Sequence, residues 1–340
     1  MVELKTPEMD PATLEIRDLN ISFIQGENEA NALRGISLKL KSREVHSLVG
    51  ESGSGKTVTS TCIMGLLPQQ VARINNGQIF LAGREILSLD EKEQRKLRGK
   101  EIAMVFQEPS RYLNPTIKVG EQIGEMLRLH LGMSKEQAVE RSLEILTLVG
   151  LDGGKRILES YPHELSGGMK QRIMIAMSIS CNPSFLIADE PTTALDVTLQ
   201  LQILNLILDL KNTLDMGILF ISHDLRVVRD ISDWVSVIYA GRIVESASRT
   251  ELFSNPLHPY TRMLFDSIPD AAKRGKRLQA IPGRVPDAEE IPRGCAFHTR
   301  CPLAEDICRT DQPETKEVAG GTGLESHTAA CHFIGKQWND

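Results

Sequence analysis

The sequence predicts an α/β fold in which helices cover a mostly parallel sheet, because apolar strand-like runs alternate with helical patterns. Two stretches carry this prediction. The strand-like stretch 44–49 leads through a glycine-rich loop into a helical pattern at 58–67, which Pro68 ends. Further along, the apolar run 185–188 is followed by a helical pattern at 199–213. With 340 residues, the chain has room for about two domains.

The residues around this core predict the remaining elements of the domain. Polar and apolar residues alternate between positions 14 and 40, which predicts short half-buried strands in an antiparallel edge layer. Other strands are predicted at 77–81, 102–106, 217–222 and 235–240, with a charged helix at 89–100. We expect the core domain to consist of residues 1–109 and 184–254.

Two further parts differ from the core in their patterns. Apolar residues at helical spacing in 119–131 and 135–149 predict an inserted helical subdomain, which we place at 110–183. After Phe253, prolines and glycines recur too often for long helices. We therefore expect residues 255–340 to form a separate, loop-rich C-terminal extension.

The charge balance argues against a nucleic-acid binder. The chain has 39 basic and 45 acidic residues, and its net charge is −6. The N-terminal residues 1–10 lack the apolar segment of a secretion signal. Nowhere does an apolar run approach the roughly 18 residues that a membrane-spanning helix requires. Any role at a membrane is therefore expected to depend on a partner.

The glycine-rich loop matches the phosphate-binding pattern G-x-x-x-x-G-K-[ST] in full. Glycines let the backbone point successive N–H groups at phosphate oxygens, and the following helix adds the positive end of its dipole. Lys56 supplies a charge for the outer phosphates and Thr57 a hydroxyl for Mg²⁺. The predicted nucleotide-binding residues are Gly50, Ser52, Gly53, Ser54, Gly55, Lys56 and Thr57.

Two carboxylates follow the apolar run 185–188, at the sheet edge where α/β proteins bind ligands. Adjacent residues of a strand point to opposite sides. We therefore expect Asp189 to hold Mg²⁺ and Glu190 to act as general base on the attacking water. The alternative is an acidic turn into Pro191.

A second helix start, Leu165-Ser166-Gly167-Gly168, precedes Met169-Lys170-Gln171-Arg172. Small residues and a hydroxyl at a free helix N-terminus suit a second anion site. A plain helix cap would use the same residues. Spacing alone leaves both interpretations open.

These motifs together resemble those of the ABC-type ATPases, a class of P-loop NTPase, over about residues 14–250. The set comprises the phosphate loop, Phe106-Gln107-Glu108-Pro109, the Leu165–Gln171 signature, the 185–190 run, Thr193-Ala194-Leu195-Asp196 and Ser222-His223-Asp224. By this resemblance, Gln107 contacts Mg²⁺ and water, and His223 contacts the γ-phosphate. Phe23 would stack on the adenine, the alternative being a core residue.

In this family two ATPase domains close head to tail. The resemblance therefore implies that Ser166 and Gly168 cap ATP held by a partner, with Asp196 near the dimer seam. A single phosphate loop covers only one side of the γ-phosphate, so we expect a lone chain to hydrolyse ATP poorly.

The C-terminal extension resembles that of the ATPases of peptide- and nickel-type ABC importers. The matching stretches are Asn255-Pro256-Leu257-His258-Pro259-Tyr260-Thr261 and 283–301. Within that group, Gly65-Leu66-Leu67-Pro68 and Ala72-Arg73-Ile74 resemble the first of two paired peptide-importer ATPase subunits.

This resemblance implies dipeptide or oligopeptide uptake, driven from the cytoplasmic face of the inner membrane. The implied partners are a second ATPase subunit, two membrane permeases and an external solute-binding protein. Nickel, glutathione or another solute stays open. A soluble ABC ATPase acting on nucleic acid or ribosomes is the rival interpretation.

Four of the six cysteines crowd the C-terminal extension: Cys295, Cys301, Cys308 and Cys331. Their gaps fit neither short zinc pairs nor common ferredoxin spacings. Some importer ATPases of this type carry a [4Fe–4S] cluster on matching cysteines, so the resemblance implies one here. Zinc and reduced thiols packed as small apolar groups are the alternatives.

Overall fold

The computed structural model describes residues 13–26, 28–193, 195–268, 281–318 and 326–335. Residues 1–10, interpreted above as lacking a secretion signal, lie outside this part of the chain. The chain divides into two compact units. The first unit comprises 1–15, 39–43 and 79–219, and the second comprises 16–38, 44–78 and 220–340. Each unit therefore draws on separated stretches of sequence.

Strands and helices alternate along most of the described chain. The strands are β1 (Thr13–Gln25), β2 (Asn28–Lys41), β3 (Val45–Val49), β4 (Ala72–Leu81), β5 (Arg84–Glu85), β6 (Ile102–Val105), β7 (Phe185–Asp189), β8 (Gly217–Ser222), β9 (Trp234–Tyr239), β10 (Arg242–Ser248), β11 (Lys316–Val318) and β12 (His327–Ala329). The helices are α1 (Lys56–Ile63), α2 (Glu91–Leu97), α3 (Pro109–Tyr112), α4 (Val119–Leu131), α5 (Lys135–Leu148), α6 (Gly154–Glu159), α7 (Gly167–Ile179), α8 (Val197–Leu214), α9 (Leu225–Ile231), α10 (Arg249–Ser254), α11 (Pro259–Asp266) and α12 (Asp306–Thr310).

In the second unit, strands lie side by side in the order β11-β12-β10-β9-β3. Strand β3 runs parallel to β9, from the pair His46–Trp234 to the pair Val49–Val237. Every residue of β3 is buried, and the imidazole Nε2 of His46 is 2.8 Å from the hydroxyl of Ser236. A buried polar side chain is thereby satisfied. Strand β3 leads directly into the phosphate loop.

In the first unit, β6 and β7 run parallel, and helices α4 to α7 pack with one another. Helix α4 ends at Leu131 and is capped by Gly132, whose φ of 66° suits glycine. Helix α5 begins at a capping box formed by Ser134 and Gln137. All five residues of β7 are buried. This strand ends at the predicted carboxylates.

The helix after the phosphate loop is shorter than the sequence indicates. Helix α1 ends at Ile63, four residues before the predicted end. Gly65 takes a φ of 61°, its N–H donates to the carbonyl of Cys62, and the N–H of Leu66 donates to the carbonyl of Thr61. These are the two bonds of a Schellman motif. Gly65 therefore ends the helix before Pro68 is reached.

The C-terminal extension, called the C-terminal segment below, is rich in loops in its described part, as the prolines predict, and its described helices α11 and α12 are short. Its aromatic residues Tyr260 and Phe297 are fully buried with Tyr239 of β9. The ring centre of Tyr239 lies 4.7 Å from that of Tyr260 and 5.2 Å from that of Phe297, and both pairs make edge contacts. Aromatic pairs of this kind stabilise a fold by more than the area they bury accounts for. These contacts therefore anchor the segment in the core of the second unit. Among the described helices, none is both long and apolar enough to cross a membrane.

Candidate functional site

The phosphate loop lies in the second unit, between β3 and α1. Gly55 precedes α1 with a φ of 109°. A Cβ on Gly55 would lie 2.7 Å from the Cδ2 atom of Leu33, and a Cβ on Gly50 would lie 2.2 Å from the carbonyl oxygen of Ile238. Neither position has room for a side chain. Both glycines are therefore required by close packing around the loop, as well as by the phosphate-binding pattern.

Two buried polar side chains belong to the loop. The Nζ atom of Lys56 donates to the carbonyls of Gly50, at 2.8 Å, and Glu51, at 2.9 Å. The side-chain hydroxyl of Ser54 is buried and has no hydrogen-bond partner among the described residues. A buried unpaired hydroxyl is costly unless a ligand or water satisfies it. The loop thus contains a buried cation and an unsatisfied hydroxyl, two groups that can bind an anion.

Two other predicted nucleotide contacts, His223 and Phe23, lie in the same unit. His223 is exposed directly after β8 and precedes α9, whose N-cap is Asp224. The carboxylate of Asp224 accepts the N–H of Arg226 at 3.0 Å, which fixes the turn that carries His223. Phe23 lies in β1 and is half-buried, so part of its ring remains accessible.

The predicted acidic pair lies in the first unit at the end of β7. Asp189 is buried, whereas Glu190 is half-buried and has a φ of 47°. Left-handed backbone at a glutamate is strained, and such strain clusters at active sites. The Oε2 atom of Glu190 accepts hydrogen bonds of 3.0 Å from Gln107 and Thr193. The structure thus brings together Glu190 and Gln107, which the sequence separates by 83 positions.

The signature residues also lie in the first unit. The hydroxyl of Ser166 accepts the N–H of Met169 at 3.3 Å and caps α7. Ser166 and Gly167 are exposed, whereas Gly168 is buried, and a Cβ there would lie 3.2 Å from Leu199. Ser166 therefore acts as an ordinary N-terminal cap of α7. An exposed N-terminus also leaves α7 accessible to an anion.

Asp196 caps the neighbouring helix α8, accepting the N–H of Leu199 at 3.0 Å. Two apolar residues of α8, Val197 and Leu201, are 74% and 56% exposed. Scattered exposed apolar residues are ordinary, but here they follow the residue predicted to lie at a dimer seam.

The four C-terminal cysteines line one cavity of the second unit. Its lining is His258, Pro259, Cys295, Phe297, His298, Cys301, Leu303, Cys308, Cys331, His332 and Phe333. Burial raises the pKa of Cys295 to about 11 and that of Cys301 to about 12. Burial also raises the pKa of Cys331. The charge of Cys308 contributes to the raised pKa of each of these three thiols. The spacing of the sequence did not indicate this convergence.

Backbone N–H groups point at three of these sulfurs. Cys295 accepts from Phe297, Cys301 from Leu303 and Cys331 from Phe333, each two residues further on. The last of these bonds is 3.4 Å long. Across the described residues, no group of three or more His, Cys, Asp or Glu side chains is arranged to hold a metal ion.

A contact that the sequence did not indicate reaches the phosphate loop from the C-terminal segment. Arg300 forms a two-pronged ion pair with Glu51, the residue after Gly50. The pair is separated by 249 positions, and no spacing rule connects them. The only sequence signal is a charged residue at a variable position of the loop pattern.

Comparison with known proteins gives a consistent result for both parts of the chain. The ABC transporter family model matches residues 33–193, and the model for the C-terminal region of oligopeptide/dipeptide transporters matches residues 244–308. Two relatives come from Bacillus subtilis. The oligopeptide transport ATP-binding protein AppD is 46% identical over 88% of this chain and 92% of its own length. The oligopeptide transport ATP-binding protein OppD is 47% identical over 90% of this chain and 86% of its own length.

A solved ATP-binding cassette has the same fold. This dimeric post-hydrolysis structure, bound to ADP and phosphate, matches with a TM-score of 0.62 and 27% identity. The match covers 69% of this chain and 98% of the cassette. It confirms the predicted ABC-type fold. The chain belongs to the ATP-binding subunits of ABC transporters of the oligopeptide and dipeptide type.

Proposed function

We propose that this chain hydrolyses ATP to power uptake of dipeptides or oligopeptides through membrane permease partners. The observation that carries this proposal is the combination, in one chain, of a phosphate loop and the C-terminal region of oligopeptide/dipeptide transporters. Its relatives are named for oligopeptide transport. Because a permease and a binding protein would select the solute, nickel or glutathione is the competing substrate.

The loop residues would bind the nucleotide itself. Lys56 would leave the carbonyls of Gly50 and Glu51 to meet the outer phosphates, and Thr57 and Asp189 would hold Mg²⁺. Phe23 would stack on the adenine and His223 would contact the γ-phosphate. The support is a buried lysine and an unsatisfied Ser54 hydroxyl in the same loop.

Glu190 would act as general base on the attacking water. Its Oε2 atom already accepts two hydrogen bonds, so the carboxylate is oriented before substrate binds. Gln107, one of the two donors, would contact both the water and Mg²⁺. A general base of this kind accelerates its step by about 10²- to 10⁴-fold.

A second ATPase subunit would complete each site. Ser166 and Gly168 would cap ATP held by the partner, and Asp196 would lie near the seam between the two chains. The exposed start of α7 supports this arrangement, as does the dimeric state of the related cassette. With two permeases and an external binding protein, the complex would place this chain at the cytoplasmic face of the membrane.

Uptake by the reconstituted complex identifies the solute. The chain is co-expressed with its ATPase and permease partners, placed in vesicles and supplied with labelled dipeptide, nickel or glutathione and the cognate binding protein. We expect ATP-dependent accumulation of dipeptide. Accumulation of nickel alone would contradict peptide uptake while leaving the ATPase intact.

The cysteine cavity is proposed to hold a [4Fe–4S] cluster. Such a cluster takes four thiolates and spaces them more widely than one ion does. The four thiols that line one cavity are the observation that supports this proposal. Burial raises the pKa of Cys295, Cys301 and Cys331, and backbone N–H groups oppose this effect without outweighing it. When bound, the cluster would supply a one-electron redox centre.

Anaerobic purification tests the cluster. We expect brown protein with about four iron and four sulfide ions per chain. Cys301→Ser should lose most of this iron because one ligand is missing, whereas Cys181→Ser, in the first unit, should retain it. Colourless wild-type protein without iron or acid-labile sulfide would contradict the proposal, and stoichiometric zinc would replace it.

A further inference from the structure

The side chain of Glu51 is held rigidly by the C-terminal segment. Two guanidinium nitrogens of Arg300 donate to its two carboxylate oxygens, each at 2.9 Å. A paired contact of this kind fixes orientation as well as distance. The Arg300 side chain is only 4% exposed and that of Glu51 29% exposed, so water weakens this pair less than it weakens a surface pair.

The backbone of Glu51 is held on both sides as well. Its N–H donates to the hydroxyl of Tyr260 at 2.9 Å, and its carbonyl accepts from Lys56 at 2.9 Å. Tyr260 is fully buried. Glu51 thus accepts a hydrogen bond from Lys56 within the loop. It is held in place from outside the loop by two residues of the C-terminal segment, Arg300 and Tyr260.

Arg300 is also held in place by contacts other than its pair with Glu51. Its Nε atom donates to the carbonyl of Pro282 at 2.7 Å, and one terminal nitrogen also donates to the hydroxyl of Tyr239 at 3.3 Å. The guanidinium carbon lies 5.7 Å from the ring centre of Tyr239 and 5.9 Å from that of Phe297. A guanidinium held at this many points loses little freedom when it binds a carboxylate.

We propose that Arg300 and Tyr260 are positioning residues for the phosphate loop and set its shape for ATP. The role rests on the ATP site proposed above. Both residues would act on the nucleotide site through their hydrogen bonds to Glu51. Arg300 directly precedes Cys301 of the cysteine cavity, so the same short segment serves both the cavity and the loop. Nucleotide affinity would then depend on how the C-terminal segment is packed.

Nucleotide titration of the purified full-length chain tests this role. Arg300→Met should weaken ATP binding by about tenfold, a loss of about 1.4 kcal/mol. Tyr260→Phe removes the acceptor of the Glu51 N–H without changing charge and should also weaken binding. Arg284→Met is the matched control, because Arg284 belongs to the same segment but its side chain is 86% exposed.

The double variant Glu51→Gln/Arg300→Met separates positioning from simple charge neutralisation. If Arg300 positions the loop, the double variant should bind ATP as weakly as Arg300→Met. Recovery of wild-type affinity would contradict positioning, since it would mean that Arg300 only neutralises Glu51. Wild-type affinity in both Arg300→Met and Tyr260→Phe would contradict it too.

Unfolding temperatures distinguish a local effect from a loss of fold. We expect Tyr260→Phe and Arg300→Lys to show a smaller ATP-induced rise in melting temperature than wild type, at a similar nucleotide-free value. An undiminished rise in both would contradict the proposal, even where Arg300→Met fails to fold. Failure of the wild-type chain to bind ATP would instead overturn the proposed function.

Discussion

Replacing Glu190 by glutamine is expected to preserve ATP binding and to slow hydrolysis by at least about 100-fold. The amide has nearly the same shape and its oxygen can still accept from Gln107 and Thr193, so the turn after β7 should persist. The glutamine amide, however, cannot take a proton from water. Steady-state ATPase rates of the assembled complex, with nucleotide titration in parallel, measure both effects.

The control for this variant is Glu159→Gln, an exposed glutamate at the end of α6 in the same unit. That change should leave the rate as it is. Wild-type hydrolysis by Glu190→Gln in the complex would rule out Glu190 as the base. Loss of ATP binding would instead show that the residue supports the site mainly through structure.

Replacing Lys56 by methionine is expected to weaken ATP binding by about 10- to 100-fold, as loss of a charged hydrogen bond of about 1.5–3 kcal/mol implies. Methionine approximates the apolar stem of lysine, so the buried position should remain filled. The lost group is the ammonium that now bonds to Gly50 and Glu51. Titration with a fluorescent ATP analogue measures the change.

Lys92→Met is the control for this change, because Lys92 is exposed on α2. It should bind ATP like wild type. An unchanged affinity in Lys56→Met would mean that the loop lysine makes no contact with the phosphates, and the assignment of the loop as the nucleotide site would be wrong.

Strong local patterns were sufficient to predict many of the elements. Helix α4 and strand β8 have the predicted bounds, because clear periodicity coincides with glycine at Gly132 and Gly217. Helix α1 is the informative exception. Pro68 is the more conspicuous helix breaker, yet Gly65 ends the helix first through its left-handed backbone. Which of two nearby breakers acts depends on hydrogen bonds that a pattern does not reveal.

The candidate site divides in the same way. Lys56, Asp189 and Glu190 belong to local motifs beside strands, so the sequence alone is enough to predict them as site residues. The left-handed backbone of Glu190 and its contact with Gln107 need the folded first unit. The pair of Arg300 with Glu51 likewise requires tertiary structure, because 249 positions separate the two residues.

The cysteines show the limit of spacing rules most clearly. Their gaps match no common metal motif, yet the thiols meet at one cavity. Gly294 makes this possible, since a Cβ there would lie 2.4 Å from the carbonyl oxygen of Cys308. Close backbone approach, rather than short spacing, brings Cys295 and Cys308 together.

ATP hydrolysis by the purified complex tests the central claim most directly. The complex contains this chain, its ATPase partner and the two permeases in vesicles, and the rate is measured with and without peptide-loaded binding protein. We expect slow hydrolysis by the lone chain and a marked rise when the loaded binding protein is added to the complex. A complex that hydrolyses no ATP, with or without the loaded binding protein, would contradict the proposed function.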